Sequence, residues 1–132
     1  MSKSLLSVDK NMPILVVDHL PMVRRMVKNC LRQLGFENIQ EAEDCVAAAE
    51  LLETAPFQLI ISDSEMPDMG PSELLSKVRS EPHTKEIPVL FVTSGSAMHG
   101  QSKAQLQDSR SAFISKPFTA QQIEQRIQSI LV

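Results

Sequence analysis

The chain contains no tryptophan and no tyrosine, and only four of its 132 residues are glycine. Neither missing ring can stack on a flavin, and the segment after the first apolar run (Asp18, His19, Leu20, Pro21) is not a glycine-rich phosphate-binding loop. Basic charge is not in excess: 13 Lys and Arg stand against 16 Asp and Glu, for a net charge of −3. That balance gives no electrostatic ground for nucleic-acid binding, which needs a basic face. The two cysteines, Cys30 and Cys45, have no CxxC or Cys/His metal spacing and read as free thiols in a reducing cytosol. The first ten residues lack a signal-peptide apolar run. No later stretch approaches the ~18–20 apolar residues that a membrane-spanning helix needs. The expectation is a soluble, cytoplasmic protein with neither a membrane nor a nucleic-acid partner.

What is present suffices for one core, since 42% of the residues are apolar and 22% charged over a length typical of a single domain. Three short apolar runs recur at residues 14–17, 59–62 and 89–92. Each is too short for a helix and lacks polar alternation, which suits strands buried on both faces of a parallel sheet. Residues 38–41 and 112–115 are weaker strand candidates.

Helical patterns separate these runs. Over 21–34, Val23, Val27, Cys30, Leu31 and Leu34 share one face, and Arg24, Arg25, Lys28 and Arg32 fall largely on the other. Those cations read either as a solvated face or as a docking surface for an acidic protein. Pro21 suits a first helical turn and Gly35 the residue after a helix end. Further helices are predicted over 44–53, 72–79 and, with the weakest pattern, 101–107. The last helix opens on a capping box, Thr119 with Gln122, and buries Ile123, Ile127, Ile130 and Leu131. Five βα repeats imply a doubly wound α/β domain, a five-stranded parallel sheet flanked by five helices, over 11–132 after a short extension at 1–10.

In such a sheet the functional site forms at the carboxyl ends of the strands. The strong runs are followed by Asp18 and His19, by Asp63, and by Thr93 and Ser94, and the fifth candidate strand by Lys116 and Pro117. Any one of these is an ordinary turn residue. Two carboxylates, a hydroxyl and an ammonium converging from four strands suit a hard divalent cation and a phosphoryl group. An aspartate can itself be the nucleophile, forming an acyl phosphate.

With those residues in place the chain resembles a stand-alone response-regulator receiver of the CheY type, from about residue 11 to the end. The matching segments are 14–18 (ILVVD), 21–25 (PMVRR), 34–36 (LGF), 41–44 (EAED), Ser62 and Asp63 with Met66 and Pro67, 88–93 (PVLFVT) and 116–120 (KPFTA). The resemblance implies a flavodoxin-like sheet of order 2-1-3-4-5, an order that general accounts of this fold already give. It implies that Asp63 accepts a phosphoryl group from a histidine kinase, so that the protein is a phosphoacceptor that catalyses its own phosphorylation and dephosphorylation rather than an enzyme. It further implies Mg²⁺ held by Asp18, Asp63 and the backbone carbonyl of Glu65. Lys116 and Thr93 would contact the phosphoryl oxygens, Thr93 and Phe113 would form the switch, and the Lys116–Pro117 bond would be cis. The output would be a protein-binding face built from the fourth helix, the fifth strand and the last helix, with Met98, Phe113, Phe118 and Gln122 on or near it. No DNA-binding domain follows Val132, so the expected target is a protein, such as the flagellar motor switch in chemotaxis, bound by a monomer.

Departures from the pattern keep two alternatives open. His19 stands where the family has a second acidic Mg²⁺ ligand, and imidazole suits Mg²⁺ poorly. Either Mg²⁺ binding is weakened, giving a pseudo-receiver that acts without phosphorylation, or His19 turns to the rim and binding stays near normal. Glu65 could replace the lost charge through its side chain, or point to solvent. Gly95 could leave the phosphoryl site more open to water, Gly70 and Pro71 stiffen the loop before the third helix, and Phe113 replaces a tyrosine usual in motor-binding members. An Asp-nucleophile phosphatase is the minor alternative: such enzymes place a second Asp where Glu65 stands, and no cap domain is present.

Overall fold

The structure, a computed structural model, describes residues 8–94 and 108–131. The strands are β1 (Ile14–Val17), β2 (Ile39–Ala42), β3 (Leu59–Asp63), β4 (Val89–Thr93) and β5 (Ser111–Ser115). They form one sheet of order β2-β1-β3-β4-β5, with every neighbouring pair parallel. Four helices lie among the described residues: α1 (Pro21–Gln33), α2 (Cys45–Thr54), α3 (Pro71–Ser80) and α4 (Ala120–Leu131). The helix expected over 101–107, together with Gly95 and Met98, lies outside the described residues.

Strand residues alternate between two cores because successive side chains leave opposite faces of a strand. Ile14, Val16, Leu59, Ile61, Leu90, Val92 and Ile114 meet Val27 and Leu31 of α1 and Ile123, Ile127 and Ile130 of α4. Leu15, Val17, Ile60, Val89 and Phe91 meet Ala48 and Leu52 of α2 and Leu74, Leu75 and Val78 of α3. Each fully buried side chain contributes roughly 1.5–3 kcal/mol, before the cost of ordering the chain. Both faces being covered explains why β1, β3 and β4 read as unbroken apolar runs.

Helix ends follow local chemistry. Pro21 and Pro71 occupy the first turns of α1 and α3. Gly35 follows α1 at φ +100°, a left-handed conformation that L side chains resist. Asp44 caps α2 by accepting from Ala47 N–H at 2.7 Å. Thr119 and Gln122 exchange both bonds of a capping box at the start of α4, at 2.9 and 3.1 Å. Because all five strands run parallel, the described loops that follow β1, β2, β3 and β5 lie at the carboxyl edge of the sheet.

Candidate functional site

Three of the described acidic and imidazole groups meet at that edge: ligand atoms of Asp18, His19 and Asp63 lie within 4.8 Å of one another. Asp18 and Asp63 are buried, whereas His19 is exposed. Asp63 ends β3 and its Oδ1 accepts the Glu65 N–H at 3.1 Å. Asp18 follows β1 and its Oδ1 accepts the Leu20 N–H at 2.9 Å. Asp18 Oδ2 has no hydrogen-bond partner. Lys116 Nζ stands 4.0 Å from it, close enough for electrostatic attraction but too far for a hydrogen bond.

Burial first, and then the neighbouring Asp63 carboxylate, push the Asp18 carboxyl above its ordinary value of 3.8. The Leu20 amide, Lys116 and His19 pull the other way without restoring it. Two carboxylates with one distant ammonium leave the pocket short of positive charge.

Thr93, at the end of β4, is buried with its Oγ1 unpartnered. Its carbonyl accepts the Lys116 N–H at 2.8 Å, which ties these two residues together through the backbone. The Lys116–Pro117 bond is cis, as expected from the resemblance. Phe113 is half-buried and stacks on the fully buried Phe91, with ring centroids 5.2 Å apart. The Glu65 side chain is exposed, accepts the Ser94 hydroxyl at 2.6 Å and does not join the three-group cluster.

The edge also carries residues that periodicity did not single out. Ser64 is buried with an unpartnered hydroxyl. Asp68 accepts the Cys45 N–H at 3.1 Å, tying the β3–α3 loop to the start of α2. Cys45 is buried, and its thiol is pushed up to about 12, first by burial and then by Asp68. Arg24, one of the cations read either as a solvated face or as a docking surface, donates from Nη1 to the Asp18 carbonyl and from Nε to Glu41 Oε1 at 2.8 Å. A position six residues after Asp18, with Glu41 at a strand's carboxyl end, was the signal available for that contact. Helical spacing alone left a solvated face and a docking surface both open.

No helix among the described residues is long and apolar enough to cross a membrane. The family described as response regulator receiver domain matches residues 14–128. The chain is 38% identical over 122 residues to the chemotaxis protein CheY-3 of Vibrio cholerae serotype O1, covering 92% of this chain and 93% of that protein. It is 39% identical over 119 residues to the chemotaxis protein CheY of Pseudomonas aeruginosa, covering 90% and 95%. Among solved structures, the chemotaxis response regulator CheY4 of Vibrio cholerae superposes with a TM-score of 0.77 at 29% identity, over 92% of this chain and 99% of that one. A match spanning nearly all of the sheet and helices, with relatives sharing more than a third of its residues, settles the family: the chain belongs to the response regulator receiver domains.

Proposed function

We propose that this protein is a CheY-like response regulator that accepts a phosphoryl group on Asp63 from the phosphohistidine of a histidine kinase, in a chemotaxis pathway. The observation that carries the reading is the buried Asp18–Asp63 pair, one oxygen of which faces the pocket unpartnered beside Lys116. A buried charge without a partner is costly, so such a pair is retained where a ligand supplies the missing charge.

The transfer is a displacement at phosphorus. An Asp63 carboxylate oxygen attacks, a P–O bond forms and the P–N bond to the donor imidazole breaks. The electron pair of that bond stays on the imidazole nitrogen, which then takes up a proton. Lys116 would neutralise the phosphoryl oxygens, and the unpartnered Thr93 hydroxyl would donate to one of them. The hydroxyl's movement, followed by Phe113 leaving or keeping its stack on Phe91, would carry the signal to a face around β5 and α4. A protein target such as the flagellar motor switch would bind there, and the responding unit would be a monomer.

Mg²⁺ fits the donor set present. Asp18 and Asp63 offer hard oxygens, Asp18 Oδ2 is orphaned and buried, and the Glu65 carbonyl lies on the adjoining loop. When bound, the ion would neutralise negative charge on the carboxylates and the transferring group. His19 is the weak member, because an imidazole replaces an oxygen donor. Its place in the cluster favours the second reading, a pseudo-receiver whose metal site is impaired.

Incubation with acetyl phosphate and Mg²⁺, followed by intact-mass measurement, distinguishes the two. The expected result is one phosphoryl adduct on the wild type and none on Asp63→Asn. An unmodified wild type at high Mg²⁺ would establish the pseudo-receiver instead.

A further inference from the structure

Asp18 is held at every polar atom except one. Its N–H donates to the Ala42 carbonyl at 3.1 Å, its Oδ1 accepts from Leu20 N–H at 2.9 Å, and its carbonyl accepts from Arg24 Nη1. The exception, Oδ2, is the atom closest to Lys116. Such fixing leaves the free oxygen little choice of position, which is what a carboxylate needs if it is to meet a cation of strict geometry.

Arg24 reaches Asp18 from α1, the helix that follows the β1–α1 loop. Its Nε is anchored at 2.8 Å to Glu41 Oε1, and Lys28 Nζ holds the other oxygen of Glu41 at 2.8 Å. Glu41 directly precedes Ala42, the residue that accepts the Asp18 amide. One guanidinium thus pins the β1–α1 loop, the second turn of α1 and the carboxyl end of β2 against one another. A planar guanidinium can donate in both directions from a fixed fork, and a lysine ammonium cannot reproduce that pattern. Arg25 carries the same charge on the same helix, is exposed, and has no carboxylate partner among the described residues.

We propose that Arg24, braced by Glu41, is a positioning residue that holds Asp18 in its cation-binding orientation. The proposal rests on the reading of Asp18 as a Mg²⁺ ligand. Arg24 bonds the Asp18 carbonyl, so it supports the carboxylate without competing for it. The sign of its effect separates positioning from plain electrostatics. Removing a positive charge near an acidic pocket should by Coulomb's law strengthen cation binding. Removing an outer support should weaken it, by about 10- to 100-fold for such partners elsewhere.

The test is a Mg²⁺ titration of the full chain followed by backbone amide NMR shifts at Leu20 and Asp63. Arg24→Met is expected to weaken Mg²⁺ binding about tenfold. Its phosphorylation by acetyl phosphate should return to the wild-type rate at saturating Mg²⁺, which general misfolding would not allow. Arg24→Lys should recover part of the loss, Glu41→Ala should show a smaller loss, and Arg25→Met should bind as the wild type does or slightly tighter. Folded Arg24→Met that binds Mg²⁺ equally or more tightly would overturn the proposal. If Arg24→Met does not fold, Glu41→Ala decides, and unchanged affinity in that variant overturns it as well. A wild type that binds no Mg²⁺ at all would instead overturn the cation reading, and the positioning role with it.

Discussion

The two edges of the sheet treat buried polar atoms in opposite ways. At the carboxyl edge, Asp18 Oδ2, Ser64 Oγ and Thr93 Oγ1 are buried without partners, and Lys116 Nζ stands 4.0 Å from Asp18 Oδ2. At the amino edge, Arg79 forks onto Asp108 at 2.8 and 3.2 Å, and its remaining donors reach the carbonyls of Ile87 and Arg110. Asp108 also accepts the Arg110 N–H at 2.8 Å, and the buried Thr84 hydroxyl donates to Val78 O at 2.7 Å. Partnered groups of this kind tie the end of α3 to the starts of β4 and β5 and add to stability. Unpartnered ones cost stability and persist where something else is to be bound. The same fold therefore keeps its unpartnered polar atoms apart from its bracing edge.

The largest effect expected at either edge is on chemistry. Asp18→Asn should lower Mg²⁺-dependent phosphorylation of Asp63 by roughly 100-fold or more, since one carboxylate of the pocket is lost. The same substitution should raise thermal stability by about 1 kcal/mol, because it removes a buried charge beside another of the same sign. Concurrent loss of stability would show that the pocket carboxylate braces the fold after all.

Arg79→Ala should do the reverse. It leaves Asp108 partly buried and unpaired and strips the Ile87 carbonyl of its donor, at a cost of about 2–3 kcal/mol in chemical denaturation. Phosphorylation of the folded fraction should be unchanged. A smaller pair of substitutions contrasts single hydroxyls. Thr84→Val should cost about 1 kcal/mol, whereas Ser64→Ala should be neutral or stabilising by up to about 1 kcal/mol. Equal losses from the two would erase the distinction between the edges.

The smallest expected effect is on pH dependence. Hydrogen bonds from Arg79, foremost, hold the Asp108 carboxyl below its ordinary value of 3.8. A carboxyl whose value is depressed by folding adds stability that is present above 3.8 and is lost as pH falls below it toward the folded value. Urea melts of the wild type should therefore weaken more steeply below 3.8 than those of Asp108→Asn. Parallel curves would mean that the fork contributes little.

Much of this is legible in the order of the residues. The runs that became β1, β3 and β4 are apolar because both faces of the central strands are covered, so composition alone marks them. Edge strands obey no such rule. In β2, Gln40 and Glu41 are exposed, and its pairing of Ile39 with Ile14 comes from register, not pattern. Asp18, Asp63, Thr93 and Lys116 could be picked out because each directly follows a strand, and strand ends in a parallel sheet must share one edge. Asp68 could not, because its partner Cys45 lies 23 residues away on another element, and for Arg24 the six-residue step from Asp18 was visible but its bond to the Asp18 carbonyl was not.

The sequence by itself determined the three central strands, the four described helices with several of their end signals, and which carboxylates stand at strand ends. Those are consequences of local geometry and of burial on two faces, and both are written in residue order. Only the tertiary structure decided that Asp18 would keep one free oxygen while its other polar atoms are tied down. It also decided that the Glu65 carboxylate would turn to Ser94 instead of into the cluster, and that Arg24 would reach the Asp18 carbonyl and Glu41. Each outcome depends on distances between separate elements, which are set when both cores close.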